Sequence, residues 1–248
     1  MRYVFCDIYH IAFINFIINF VFMEKNQCEL CNIKSKAISK LSTEEIDKLS
    51  DNCLSVKFKK RNILIKQGTF SSNVVYLRSG LVKVHIAGPY YEQNVKIVKA
   101  PCYLGLPTTF GDKINQYSVT AIEDAEVCFI DIDLFRNLLH SNPEFSYEII
   151  IEICKNELEA FYRCANRTQK KIRGKIADFL LEMSEHIYNN TVFIIPVTQE
   201  EIGNLIDASR ESVSRVFNEF ETDGIIATEG KEVKILNKNL LKKISEFG

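Results

Sequence analysis

The chain reads as an α+β protein in three parts: an antiparallel double-sheet jelly roll, one long helix, and a C-terminal helix-turn-helix with a wing. Three observations carry that reading. Residues 41–139 hold short β-type runs broken by glycine and polar turns, residues 143–169 hold one continuous helical pattern, and residues 198–224 hold two short capped helices. The expected segments are 1–22, an apolar N-terminal extension; 23–142, the roll; 143–169, a dimerisation helix; and 170–248, the C-terminal domain.

Residues 3–22 are almost wholly apolar and aromatic, and long enough to span a bilayer. Asp7, His10, Asn15 and Asn19 interrupt them, however, and such side chains are costly in hydrocarbon. No basic cluster or small-residue cleavage site marks a signal peptide. Translation is therefore expected to start at Met23, with residues 1–22 left out of the working protein; a membrane-tethered regulator is the alternative. The eight cysteines are scattered, without a disulfide framework, which points to a reducing cytoplasm.

The candidate strands are 56–58, 63–65, 74–77, 81–86, 95–98, 117–121 and 127–130, punctuated by Gly68, Gly80 and Gly105. Seven or eight short strands at this spacing argue for a double-sheet jelly roll. In the long helix, which starts at Pro143, Tyr147, Ile151, Cys154, Leu158, Phe161 and Ala165 recur at alternating four- and three-residue steps. That heptad-like seam predicts a parallel two-stranded coiled coil and hence a homodimer. Ile149, Ile150 and Ile153 are expected to widen the apolar face toward the roll.

Within TQEEIGNLIDASRESVSRVFNEFETDG (198–224), Thr198 and Glu201 have the spacing of a capping box, and Ile202, Leu205 and Ile206 form an apolar stripe. Ser209 caps a second helix, whose Val213, Val216, Phe217 and Phe220 must face a core. Its other face carries Arg210, Glu211, Ser214 and Arg215. Arginine is bidentate to guanine, glutamate accepts from cytosine N4, and serine suits either role. This is a helix built to read bases. Asp207 stands in the turn, where left-handed backbone is expected. Short β-type runs at 225–227 and 233–236 flank Glu229-Gly230-Lys231 as a two-stranded wing that puts Lys231 and Lys234 near phosphate. Formal net charge is −1 overall, and residues 170–248 hold 11 Lys and Arg against 13 Asp and Glu. Affinity for DNA must then rest on a local patch, for which KKIRGK (170–175), Arg210, Arg215, Lys231 and Lys234 are the candidates.

With RNILIKQGTFSSNVVYLRSGLVKVH (61–85) in the roll and SRESVSR (209–215) in the second helix, the chain resembles the Crp/Fnr superfamily of bacterial transcription regulators over nearly all of 28–248. The roll then looks like the cyclic-nucleotide-binding fold. The resemblance implies double-stranded DNA with a palindromic promoter site as partner, a TTGA- or TGTGA-like half-site, and RNA polymerase as a further partner. No membrane partner is expected.

The departures matter equally. Nucleotide-binding members carry Gly-Glu and Arg-Ser where this chain has Gly105-Leu106 and Gln116-Tyr117-Ser118, and no arginine lies between Arg78 and Arg136. A buried phosphate needs a cation or a nest of N–H groups, so tight cAMP binding is not expected. Oxygen-sensing members hold an iron–sulfur cluster with C-x2-C-x5-C and a roll cysteine. Cys28, Cys31 and Cys128 match, but the third position is Ala37, leaving Cys53, Cys102 or a non-cysteine ligand as substitutes. A redox dithiol, a zinc site and functionless thiols stay open beside the cluster. An uncharged effector in the roll would meet Tyr103, Thr108, Thr109, Gln116, Tyr117, Ser118 and the 88–93 insert; ordinary loop packing is the competing reading.

The expected function is a homodimeric, sequence-specific DNA-binding transcription regulator, with a signal sensed in the roll and passed through the long helix. One alternative is a redox- or oxygen-responsive regulator using Cys28, Cys31 and Cys128; another is a ligand-binding regulatory subunit that does not touch DNA. An enzyme is not expected, because the four histidines are isolated and no nucleophile, P-loop or paired-carboxylate motif is present.

Overall fold

A computed structural model describes residues 34–248. The readings of residues 1–22 and of Cys28 and Cys31 lie outside that range. Eight strands build the roll: β1 (Cys53–Phe58), β2 (Ile63–Ile65), β3 (Asn73–Ser79), β4 (Leu81–Ala87), β5 (Glu92–Lys99), β6 (Cys102–Leu104), β7 (Ser118–Ala121) and β8 (Ala125–Asp131). They form two antiparallel four-stranded sheets, ordered β1-β8-β3-β6 and β2-β7-β4-β5.

The roll's interior is apolar because alternate residues of both sheets turn into it. Val75, Leu77, Leu104 and Val127 from the first sheet meet Leu64, Val82, Val84 and Val119 from the second. The first sheet is covered on its outer face as well. There Val74, Tyr76, Tyr103, Cys128 and Ile130 lie under Leu49 of α1 (Thr43–Asp51), Phe135 and Leu138 of α2 (Ile132–Ser141), and Phe145 and Ile149 of α3 (Pro143–Gln169). Coverage on both faces explains why β3 is an unbroken apolar run from Val74 to Leu77. It also corrects the expectation of strands alone between 41 and 139. Helix α1 starts with a capping box between Ser42 and Glu45, and α2 starts at Asp131, whose carboxylate accepts from the N–H groups of Asp133 and Leu134. Both caps are legible in the sequence.

The C-terminal part contains α4 (Ile172–Glu182), a following single wide turn Met183–Ile187, β9 (Val192–Ile194), α5 (Gln199–Ile206), α6 (Arg210–Thr222), β10 (Ile226–Glu229), β11 (Glu232–Ile235) and α7 (Lys238–Phe247). The wing has three strands in the order β10-β11-β9, not two, because Phe193 of β9 pairs with Val233. The core joins Ile176, Phe179 and Leu180 of α4 to Ile202 and Ile206 of α5, to Val213, Val216, Phe217 and Phe220 of α6, and to Leu241 of α7. Leu81 and Ile97 of the roll's second sheet, and Ile122 just after β7, belong to the same cluster, so the roll and the C-terminal part share apolar contacts.

Helix α3 has two opposite faces. At about 100° per residue, Phe145, Ile149, Glu152, Asn156, Arg163 and Arg167 fall on one side and Tyr147, Cys154, Leu158, Phe161 and Ala165 on the other. The first side meets the roll: Phe145 and Ile149 are buried, and Arg167 donates to the Asn94 carbonyl at 2.8 Å. The second side is bare. Tyr147, Leu158 and Phe161 are 63%, 55% and 62% exposed, and Cys154 and Ala165 are exposed with them, while Ile151 is partly covered. Ile150 and Ile153 do not face the roll as expected; both are exposed, because only Ile149 of the three falls on the roll side.

Candidate nucleic-acid interface

The turn between α5 and α6 fixes how the second helix is presented. Thr198 caps α5 by accepting from the Glu201 N–H at 3.2 Å, and the Glu201 carboxylate returns to the Thr198 N–H at 2.9 Å. Asp207 ends α5 in left-handed backbone, with φ 58° and ψ 61°. Gly203 is required by this turn, since a Cβ there would run into the carbonyl oxygen of Ala208. Ser209 then caps α6, its hydroxyl accepting from the Ser212 N–H at 3.2 Å.

Helix α6 buries Val213, Val216, Phe217 and Phe220, and this leaves Arg210, Glu211 and Arg215 exposed with Ser214 between them. These four line one groove together with Gln199, Asn218 and Arg173. The Glu211 carboxyl is held below its usual range by its own N–H and the Ser209 hydroxyl, so it stands ready as an acceptor. Arg215 is 67% exposed and only loosely paired with Glu219, at 4.0 Å. A second groove, between α6 and the wing, brings Thr198, Arg210 and Lys231 together. Asn218 and Gln199 were not singled out in the sequence. Asn218 could have been, since it lies seven residues from Glu211 on the same helical face.

The basic stretch at 170–175 is not the free patch that the sequence suggested. Arg173 pairs with Glu219 at 2.6 Å and Asp223 at 2.9 Å, and its guanidinium lies 5.0 Å from the centre of the Phe220 ring. It braces the C-terminal half of α6 at the edge of the first groove. Lys170 is spent on Asp178 at 2.7 Å. Lys231 and Lys234 are exposed on the wing as expected.

In the roll, a cavity of about 240 Å3 opens among Ile65, Thr69, Ser71, Val75, Gly105, Thr109, Asn115 and Phe129. Of the six effector candidates, Thr109 alone lines it. Tyr103 is on the other face of its sheet, packed 4.8 Å from Tyr76 and 5.9 Å from Phe135, with its hydroxyl 2.9 Å from that of Ser35. The β-alternation puts Leu104, not Tyr103, inside. Thr108 donates to the Gly105 carbonyl at 2.9 Å, Ser118 accepts from the Gln67 N–H at 3.0 Å, and the Gln116 amide is engaged by Asp112. Burial pushes the Tyr117 hydroxyl up, while the neighbouring Gly105 backbone and Thr108 hydroxyl act against it. These groups close the loop on itself. The 88–93 insert is the tip of the β4–β5 hairpin, with Tyr90 93% exposed, and does not line the cavity.

Lys66 is the only cation among the residues lining the cavity, and it lies at the surface. The lining does not fit a buried cyclic phosphate. Cys128 is 7% exposed and shares its apolar cluster with Ala37, Tyr76, Tyr103 and Phe135. Among the described residues no three metal-ligating side chains come together, and Ala37 fills the position of the third motif cysteine. Cys28 and Cys31 lie outside the described residues, so of the expected ligands only Cys128 and the substitutes Cys53 and Cys102 are placed. Among them, too, no helix is long and apolar enough to cross a membrane.

Residues 55–142 match the cyclic nucleotide-binding domain, and residues 174–244 match the Crp-like helix-turn-helix domain. The transcriptional activator protein FnrA of Stutzerimonas stutzeri is 28% identical over 220 residues, covering 85% of this chain and 88% of that protein. The transcriptional activator protein anr of Pseudomonas aeruginosa is 25% identical over 216 residues, with the same coverage of 85% and 88%. In fold, the chain is similar to FixK2 from Bradyrhizobium japonicum, with a TM-score of 0.71 at 16% identity over 77% of this chain and 96% of that one. A transcriptional regulator of the Crp/Fnr family from Eubacterium rectale gives a TM-score of 0.70 at 17% identity, over 86% and 98%. With a cyclic-nucleotide-binding-type roll ahead of a Crp-like helix-turn-helix, and activator proteins of that build as its relatives, the chain belongs to the Crp/Fnr family of transcription regulators.

Proposed function

We propose that the chain works as a homodimer that binds a palindromic promoter site through paired α6 helices, with Arg215 and Glu211 reading a G·C step and Arg210 and Ser214 the positions beside it. The exposed face of α6, backed by a buried core stripe and an ion-paired brace, carries this reading. Thr198, Ser209 and Lys231 set the helix and the wing against the phosphates. The bare seam of α3 supports the dimer, since two copies would bury Tyr147, Ile151, Cys154, Leu158, Phe161 and Ala165 together. Such a protein acts in the cytoplasm beside RNA polymerase, and no catalytic step belongs to this reading. The signal enters through the roll and shifts an equilibrium between two dimer states. The residues described here favour a ligand other than cAMP.

Binding to duplexes carrying an inverted TTGA or TGTGA half-site, followed by fluorescence anisotropy, tests the reading. Tight, salt-dependent binding to the palindrome and weak binding to a scrambled duplex are expected. Equal affinity for both would refute sequence-specific recognition.

A further inference from the structure

The outward face of the roll's second sheet is not an ordinary solvent face. Alternation along β4 turns Val82 and Val84 into the roll and Lys83 and His85 outward, with Asn94 of β5 paired opposite His85. Yet His85 and Asn94 are only 7% and 4% exposed, and the Lys83 side chain only 15%. Polar groups withdrawn from water need partners. Those of His85 lie within the roll: Nδ1 is 3.0 Å from the Glu92 carboxylate and Nε2 is 2.8 Å from the Thr120 hydroxyl. Those of Lys83 and Asn94 include Glu201 of α5, 118 and 107 residues further along the chain.

Glu92 helps aim the lysine. One of its carboxylate oxygens meets His85, and the other lies 3.3 Å from Lys83 Nζ. From that position Lys83 Nζ reaches Glu201 at 2.9 Å. Glu201 is the acid of the α5 capping box, and its two oxygens have separate partners. Oε1 meets Lys83, while Oε2 accepts from the Thr198 N–H at 2.9 Å and from the Thr198 hydroxyl at 3.2 Å. Beside them, Asn94 Nδ2 donates to the Glu201 carbonyl at 2.9 Å, and the Gln93 amide donates to the Asn204 carbonyl. The roll thus holds the first turn of α5 by its cap. Thr198 in turn lines the groove between α6 and the wing, with Arg210 and Lys231.

We propose that Lys83 is a positioning residue for DNA recognition. Acting through Glu201, it fixes Thr198 and the start of α5, and with them the turn that presents α6. The roll then controls the DNA-reading end by a route that bypasses α3. The inference rests on the reading of α6 as the base-reading helix. A charge-assisted bond suits the role because it is short and directional, and losing either partner leaves the other partly desolvated and unmatched. The contact also leaves the base-reading groove open, since every residue lining that groove belongs to the C-terminal part. It is therefore compatible with a bound duplex.

Operator binding of the full chain, followed by fluorescence anisotropy in Lys83→Met and Glu201→Gln, tests the proposal. Glutamine at position 201 keeps the capping box but not the ion pair. The two substitutions change charge in opposite senses, one removing a cation and the other an anion. If charge alone mattered, Lys83→Met would weaken DNA binding and Glu201→Gln would tighten it. Positioning requires both to weaken operator binding, by roughly fivefold or more each, with little further loss in the double variant. Lys83→Arg, which keeps the pair, should restore most of the affinity, and the dimer dissociation constant should stay fixed throughout. Circular dichroism melts check folding, and Glu201→Gln alone decides the matter if Lys83→Met does not fold. Opposite shifts, full additivity, or unchanged affinity in Glu201→Gln overturn the proposal. Arg215→Ala in the same assay separates this inference from its parent. Operator binding lost in Arg215→Ala but indifferent to positions 83 and 201 sinks only the positioning role. An unaltered chain without preference for the operator refutes base reading, and the positioning role with it.

Discussion

Replacing Phe161 by Ala removes the largest side chain at the centre of the bare seam. Phe161 is 62% exposed in the single chain and lies outside every apolar cluster of the described residues. The folded monomer should therefore lose little. A dimer buries that exposed fraction twice. Full burial of a phenylalanine is worth about 1.5–3 kcal/mol, so the exposed part is worth about 1–2 kcal/mol per chain and about 2–4 kcal/mol per dimer. At about 1.4 kcal/mol per tenfold, the dimer dissociation constant should rise roughly 30-fold or more. Sedimentation equilibrium over a concentration series measures it, with circular dichroism to show that the monomer stays folded. Tyr90→Ala is the control: Tyr90 is 93% exposed, at the tip of the β4–β5 hairpin, and is not one of the α3 seam residues. The reasoning fails if Phe161→Ala leaves the dissociation constant unchanged, or if Tyr90→Ala raises it as much.

Arg215→Ala should cost about 1–3 kcal/mol of operator affinity and relax one base position; an equal loss on random DNA would show that Arg215 touches only phosphate. Gly203→Ala should destabilise the C-terminal part by more than the roughly 1 kcal/mol that helix propensity would favour, because its Cβ meets the Ala208 carbonyl; an unchanged or raised melting temperature would disprove the close approach. Burial pushes the Cys102 thiol up to about 12, so at neutral pH it should react with a disulfide reagent far more slowly than the exposed Cys164, which lies off the seam. Labelling followed by peptide mass mapping would expose the error if Cys102 were modified first.

Local signals in the sequence carried the DNA-reading end of the molecule almost residue by residue. The Thr198–Glu201 capping box, the Ser209 cap, the left-handed Asp207 and the buried stripe of α6 each depend on neighbours within a turn or two. Gly224, with φ 65°, ends α6 for the same kind of reason. What escaped was set by distant partners. Strand β9 is three residues long, and its pairing with β11 decides that it is a strand at all. Strand β6 is equally short and equally dependent on β3.

The side chains of the roll illustrate the same limit more sharply. Tyr103 and Leu104 are adjacent, and nothing local says which of them turns inward; the sheet's register decides it, and with it whether Tyr103 meets a ligand or Ser35. Lys170 and Arg173 look like a free basic run until Asp178, Glu219 and Asp223 are brought to them from 8 to 50 residues away. Charge read along a sequence counts residues, whereas charge available to DNA is what remains after the fold has paired them. In this chain the pairing takes up Lys170 and Arg173 and leaves Arg210 and Arg215 exposed on α6. A net charge of −1 is therefore compatible with a base-reading surface, because Glu219 and Asp223, which border the same groove, are paired with Arg173.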